Sequence, residues 1–380
     1  MSVEPVYSLR TSCLFCLQPL SKDIFLQDRI LPLGCFPVKS LETSCHKIPY
    51  NAVFCDSCGV VQTKYIGKID LVYGNNFAGI FGTTRNKMNE LFSEFVSQGD
   101  SKGVLEIGAG NGEVCDSILE KKPSILYTIV DPSYWGSNKN RSVVSQYFEE
   151  IDMNNFKTAD AIVMSHVFEH FYKPMDILQK IKDSPNIQTI YLNWPNLEEF
   201  IRGGTYNVLN MEHIYYAENR FLEEVFASFG FVLTRKDLYN SFAIFYEFKR
   251  EANSSERPFP KNKRTLEDTE AFFSKLFTFV DKANTILQEN LDLPVYIWPC
   301  SVHTSFCVMA GLDEKRITNI LDNSPEKIGK YQYGFNIPCI SFRDTIESPQ
   351  PKLILLVGGI YAKEVIEDCK KNPSNQILML

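Results

Sequence analysis

Apolar positions Met88, Leu91, Phe92 and Phe95 recur at helical spacing from about Asn86 onward, and the compact run Gly103-Val104-Leu105-Glu106-Ile107 follows them as a strand. A helix is predicted after the glycines that come next. Strand-like runs recur at 125–130, 161–164 and 189–192, with segments between them long enough for helices, and that alternation predicts a parallel α/β sheet. Runs at 231–233 and 241–248 are expected to close this unit near Lys249. Residues 250–267 are charged, Ser- and Pro-bearing and without period, which marks a linker. Beyond it Phe272, Phe273, Leu276, Phe277, Val280, Ala283, Ile286 and Leu287 fall on one side of a long amphipathic helix, a core-packing face. Runs at 295–298, 317–321, 337–340 and 353–357 then repeat the α/β pattern on a smaller scale. Residues 10 to about 65, by contrast, are Cys-dense and helix-poor. Three units are therefore expected, at 1–75, 76–250 and 264–380.

The composition agrees with this division. A chain of 380 residues with 44% hydrophobic and 22% charged positions is that of a globular protein with more than one domain. A net charge of -7 argues against a nucleic-acid partner, whose phosphates call for clustered Lys and Arg. The first residues lack a basic start followed by an apolar stretch, and the longest apolar run, at 353–357, is far short of the roughly 20 residues that span a bilayer. A cytoplasmic monomer with no membrane partner is expected.

Eleven Cys in such a chain are better read as metal ligands and small buried hydrophobes than as a disulfide framework. Cys13-Leu-Phe-Cys16 and Cys55-Asp-Ser-Cys58 are two Cys-x-x-Cys knuckles. Each places two thiolates on a tight turn, where both can reach one ion at about 2.3 Å, and together they predict a closed, structural zinc site. The interval between them is longer than in a usual zinc ribbon and contains Cys35, Cys45 and His46, any of which is an alternative ligand.

Glu106-Ile-Gly108-Ala-Gly110-Asn-Gly112 follows a strand and opens a helix, so its glycines let the backbone approach a ligand at the helix N-terminus. A dinucleotide fingerprint would carry its third glycine at Glu113. The spacing found here, with an acid two residues before the first glycine, favours the class I methyltransferase loop, which binds S-adenosylmethionine, over a nicotinamide site. Glu106 is expected near the cofactor's ammonium group, and Asp131, at the end of the next strand, on its ribose hydroxyls. Gly108, Gly110 and His166 complete the expected cofactor contacts. His166 and His170 stand four apart in Ser-His-Val-Phe-Glu-His, but the order is not His-Glu-x-x-His and no third ligand is in view, so this segment is not read as a metal site.

These parts together resemble the sugar C-methyltransferases that modify nucleotide-linked deoxysugars. The Cys pairs look like that family's N-terminal zinc module, and residues 86–249 look like its S-adenosylmethionine domain. Asp322-Asn-Ser-Pro325-Glu-Lys327-Ile-Gly329 looks like its C-terminal, Rossmann-like domain, and Glu212-His213-Ile-Tyr215-Tyr216 matches its Glu-His pair and the aromatic segment after it. The resemblance implies a nucleotide-sugar substrate, with His213 as the base that removes a proton beside a keto group and Glu212 as its neighbour. It also implies Tyr73 as an active-site hydroxyl. Where the family usually reads Tyr-His-Glu-His, this chain has Asn210-Met211-Glu212-His213, and Asn196 stands where a His is common. Asn196, Asn210 and Lys327 are assigned to the substrate. The two departures keep methylation of a sugar hydroxyl, or a zinc-ribbon binding protein with a non-catalytic methyltransferase fold, as alternatives.

Overall fold

The structure, a computed structural model, describes residues 5–20, 22–24, 29–32, 38–39, 46–73, 83–251, 258–357 and 362–379. Its central element is a seven-stranded sheet in the order Ser142–Val144, Leu126–Val130, Gly103–Ile107, Ala161–Ser165, Thr189–Pro195, Ala243–Arg250 and Phe231–Tyr239. All five residues of Gly103–Ile107 and all five of Ala161–Ser165 are buried. Both faces of the sheet are covered by helices, which is why these strands read as continuous apolar runs rather than alternating ones. Met88, Phe92 and Phe95 of helix Thr83–Ser97 pack on one face together with helix Glu113–Lys121. Helices Pro174–Lys182 and Asn219–Ser228 cover the other face with Ile177, Leu178, Ile181, Phe221, Leu222 and Phe226.

The sheet is mixed, not wholly parallel. Ala243–Arg250 runs antiparallel to both of its neighbours, pairing Pro195 with Ala243 at one end and Thr189 with Lys249 at the other. The cause is local: Phe231–Tyr239 turns back on itself within a few residues, with Asn240 in the left-handed region at φ 51, and so short a connection can join only antiparallel strands. The short edge strand Ser142–Val144 had no counterpart in the sequence reading, since three half-exposed residues give little periodic signal.

The Cys-rich segment forms short strands. Ala52–Phe54 pairs with Val61–Thr63, whose other edge takes Tyr215–Tyr216 from the central unit. The first unit's sheet is thus completed by the residues that directly follow His213. The last unit is a five-stranded parallel sheet in the order Cys339–Ser341, Ile317–Asp322, Val295–Trp298, Lys352–Leu356 and Asn375–Met379. Helix Leu266–Glu289 leads into it behind a Thr265/Asp268 capping box and buries Phe272, Phe273, Leu276, Phe279, Val280, Ala283 and Leu287, while Phe277 and Ile286 are only partly covered. Phe272 stacks on Tyr206 at 4.8 Å, Tyr50 meets Phe306 edge-on at 5.1 Å, and Val38 bridges to Tyr331. One hydrophobic cluster therefore runs through all three units. Among the described residues, no helix is long and apolar enough to cross a membrane.

Candidate active site and four-cysteine cluster

Cys13, Cys16, Cys55 and Cys58 converge so that all four sulfurs lie within 4.8 Å of one another. Cys13 Sγ is 3.5 Å from Cys58 Sγ, and Cys16 Sγ is 3.4 Å from Cys55 Sγ. Four sulfurs at about 2.3 Å around one ion would be roughly 3.8 Å apart, so the cluster is compatible with zinc. Each knuckle is closed by backbone. Leu17, at φ 60, donates its N–H to the Cys13 carbonyl (3.1 Å), and Gly59, at φ 74, donates to the Cys55 carbonyl (2.7 Å). Gln62 Nε2 (3.3 Å) and the Phe15 N–H (3.4 Å) both donate toward Cys13 Sγ, as outer-shell groups do for a thiolate ligand. His46 lies outside the cluster, with its N–H donated to Tyr333 Oη, and Cys35 and Cys45 lie outside the described residues.

Beside this module, at the C-terminal ends of the central strands, opens a cavity of about 510 Å³, within the roughly 300–1,000 Å³ of small-molecule sites. The glycine loop forms one wall. Gly108, Gly110 and Gly112 have φ of 68°, 59° and 82°, a region other residues enter only under strain. A Cβ on Gly108 would come within 2.6 Å of Val167 Cγ2. The loop is clasped to the next strand: Gly108 donates its N–H to the Val130 carbonyl (2.9 Å), and Gly110 donates to Asp131 Oδ2 (2.7 Å). Asp131 Oδ1 accepts from the Ser133 N–H (2.7 Å). Burial pushes the Asp131 pKa up, against these two amides. Each of its oxygens keeps a lone pair able to take a hydroxyl. Trp135, Tyr147 and Phe148 continue this wall.

The opposite wall carries the titratable side chains. After Ala161–Ser165 the chain turns sharply through His166, at φ 54, into a 3-10 turn Phe168–His170. The turn buries Glu169 completely and aims His170 at Tyr73, whose Oη lies 2.9 Å from His170 Nδ1. The His213 ring sits 5.0 Å from that of His170, and Glu169, His170 and His213 each bring one atom within 4.8 Å of the others. His166 Nδ1 is 3.3 Å from Glu169 Oε1, and its Nε2 is 3.4 Å from Met88 Sδ. Burial works to raise the Glu169 pKa, but hydrogen bonding from His166 and the pull of His170, His166 and His213 in their protonated forms outweigh that and hold it at about 2. Burial pushes His170 down to about 3, and it lowers His213 against the pull of Glu169. Burial thus favours the neutral forms of His170 and His213 beside an ionised Glu169, and neutral is the form in which His213 can accept a proton.

Of the expected site residues, Tyr73, Gly108, Gly110, Asp131, His166, Glu212 and His213 line this one cavity. Four do not. Glu106 alternates to the opposite side of its strand, is 1% exposed and accepts from Tyr127 Oη (2.9 Å), and burial raises its pKa to about 8. Asn196 is buried and accepts from Asn219 Nδ2 (3.3 Å). Asn210 Oδ1 accepts the N–H groups of Glu212 (2.7 Å) and His213 (2.9 Å), so it shapes the turn that presents them. Lys327 bonds Asp322 Oδ2 (2.8 Å) within the last unit. The sequence reading passed over Arg85, half-buried in helix Thr83–Ser97 and facing the cavity, and left His170 and Glu169 without a partner because His213 is distant in sequence.

Comparison with known proteins bears on the central unit. Residues 82–236 match a family model described as a methyltransferase domain. No curated protein matches the chain. Among solved structures, the plantazolicin methyltransferase BpumL, in complex with a monoazolic desmethylPZN analog and SAH, is 14% identical over 44% of this chain and 84% of its own, with a TM-score of 0.35. An O-methyltransferase family protein from Burkholderia thailandensis is 11% identical over 44% of this chain and 57% of its own, also at TM-score 0.35. Human N-acetylserotonin methyltransferase in complex with SAM is 14% identical over 44% and 52%, at TM-score 0.35. Likenesses this distant carry no argument about the acceptor. Residues 82–236 are a methyltransferase domain, and through it the chain is an S-adenosylmethionine-dependent methyltransferase.

Proposed function

We propose that this protein transfers a methyl group to a nucleotide-linked sugar at the carbon beside a keto group, with His213 as the base. The observation that carries the reading is convergence. His213, Glu212 and Tyr73 share one cavity with Gly108, Gly110 and Asp131, although they come from distant parts of the chain. S-adenosylmethionine supplies a methyl group on a sulfonium centre, and the acceptor must therefore be made nucleophilic by loss of a proton. A neutral imidazole suits that task. The proton passes to a His213 ring nitrogen, and the freed electron pair forms the bond to the methyl carbon. The pair of the broken carbon–sulfur bond stays on sulfur, and the imidazolium returns its proton to solvent. Tyr73, bonded to His170 at 2.9 Å, is assigned to donate to the oxygen that gains charge. Asp131 takes the cofactor's ribose hydroxyls, and the glycine loop approaches the rest of it. The four thiolates hold a structural zinc that leaves no coordination position open.

A second reading, methylation of a sugar hydroxyl, uses the same base on an O–H. It is favoured by Asn210 and Asn196, which take structural hydrogen bonds where the resembling family carries a Tyr and a His. Incubating a panel of nucleotide-sugars with S-adenosylmethionine, followed by mass spectrometry and NMR of any product, identifies the acceptor atom. His213→Asn is expected to keep cofactor binding and lose on the order of 10²–10⁴ in turnover. Full turnover in that variant ends the assignment of the base.

A further inference from the structure

We propose that Glu169 is a positioning residue for proton transfer: a fully buried carboxylate grouped with His170 and His213, which becomes the counter-ion of His213 when that ring takes a proton. The inference rests on His213 being the base.

Glu169 is 0% exposed; His166 Nδ1 lies 3.3 Å from its Oε1, and neither carboxylate oxygen makes a well-aligned hydrogen bond. An ionised carboxylate in that condition is costly, and a fold normally gives it donors or a fixed cation. The groups that face it are His166 and His170 on its own turn, His213 from the neighbouring loop and Arg85 from helix Thr83–Ser97, with Tyr215 packed behind. Arg85 is itself drawn toward Glu113 as well as Glu169, and its Nη1 makes no hydrogen bond. Burial holds His170 and His213 toward their neutral forms, so a proton arriving on either gives Glu169 an added cationic partner. His170 Nε2 is also buried without a partner, and its Nδ1 is engaged by Tyr73, so that ring is held in place beside the pair.

The arrangement has a direction. A proton arriving on His213 sets a cation against the buried carboxylate at the moment charge develops, so the stabilisation is larger in the transition state than in the ground state. Glu212, next to His213 in sequence, is the expected partner from sequence; the carboxylate grouped with His213 and His170 in space is Glu169.

The chain has five His, so histidine-selective isotope labelling gives a readable ¹H–¹³C spectrum without any acceptor. The His213 resonance is assigned by its loss in His213→Asn and titrated by pH in S-adenosylhomocysteine-bound protein. Glu169→Gln keeps the side-chain volume and removes the charge. For groups about 5 Å apart in a protein interior, the proton affinity of His213 is expected to fall about ten- to a hundred-fold, one to two pH units. Glu169→Asp is expected to fall between Glu169→Gln and wild type, and cofactor affinity is expected to stay within about threefold. An unmoved His213 titration in Glu169→Gln overturns the inference. So does a second equivalent of bound divalent metal in the wild type that disappears in Glu169→Gln, because Glu169 would then be a metal ligand. If His213→Asn is fully active while the titration shifts as expected, the base reading fails and the electrostatic pairing stands.

Discussion

Replacing Gly108 by alanine tests the glycine loop, because the structure provides both terms of its effect. Ala at φ 68 enters the left-handed region at a cost of about 1–2 kcal/mol. Its Cβ would also lie 2.6 Å from Val167 Cγ2 and 3.2 Å from Cγ1, an overpacking of about 1–3 kcal/mol. The loop relieves both by moving, and the cofactor wall moves with it. Gly108→Ala is therefore expected to weaken S-adenosylhomocysteine binding by at least about tenfold in calorimetric titration, at about 1.4 kcal/mol per decade. Val167→Ala removes both γ carbons and leaves only the backbone term, so the double variant should recover part of the loss. The coupling energy in that cycle is expected to be about 1–3 kcal/mol. Wild-type affinity in Gly108→Ala, or a coupling below about 0.5 kcal/mol, refutes the reasoning.

Cys55→Ser is expected to reduce bound zinc from one equivalent per chain, measured by elemental analysis, and to lower the melting temperature. Because Val61–Thr63 pairs with Tyr215–Tyr216 just beyond His213, the same variant should lose turnover more than cofactor affinity; the reverse order would separate the module from the site. Glu106, with a folded pKa of about 8 against an ordinary value near 4.3, keeps a proton in the folded chain that the unfolded chain has released between those limits, so its contribution to stability falls as pH rises through that window. Thermal melts of Glu106→Gln, which still accepts from Tyr127, are expected to overtake wild type progressively from pH 5 to 8, and parallel curves would contradict the burial. Phe226, stacked on Phe248 at 4.4 Å and close to Phe168, is fully buried, and Phe226→Ala is expected to cost about 3–5 kcal/mol in denaturant unfolding.

Much of the fold was legible because its signals are local. Helix Thr83–Ser97, strand Gly103–Ile107 and strand Val295–Trp298 follow from spacing that each segment carries within itself. Edge strands were the weak point. Asn375–Met379 buries only one of its five residues, so its apolar pattern never separates from that of a loop. The reversal of Ala243–Arg250 was missed for another reason, since strand direction depends on connection length and not on composition.

The same division runs through the site. Sequence alone determined the four thiolates and the glycine loop with Asp131, because knuckle spacing and a strand–loop–helix turn are short-range geometry. It named His213 and Tyr73 only through resemblance, and it expected Glu106 at the cofactor, whereas its side chain does not line the cavity. Strand alternation, resolved only by which helices cover which face, turned that side chain to Tyr127. Tertiary structure alone brought Glu169 and His170 to His213. They lie on a tight turn after one strand and on a loop after another, joined by the hydrogen bond that Tyr215 Oη donates to the Phe168 carbonyl (2.6 Å) and held by the pairing of Tyr215–Tyr216 with the first unit's strands. Ligand-scale geometry of that kind is set by contacts between segments far apart in the chain, which no local spacing records.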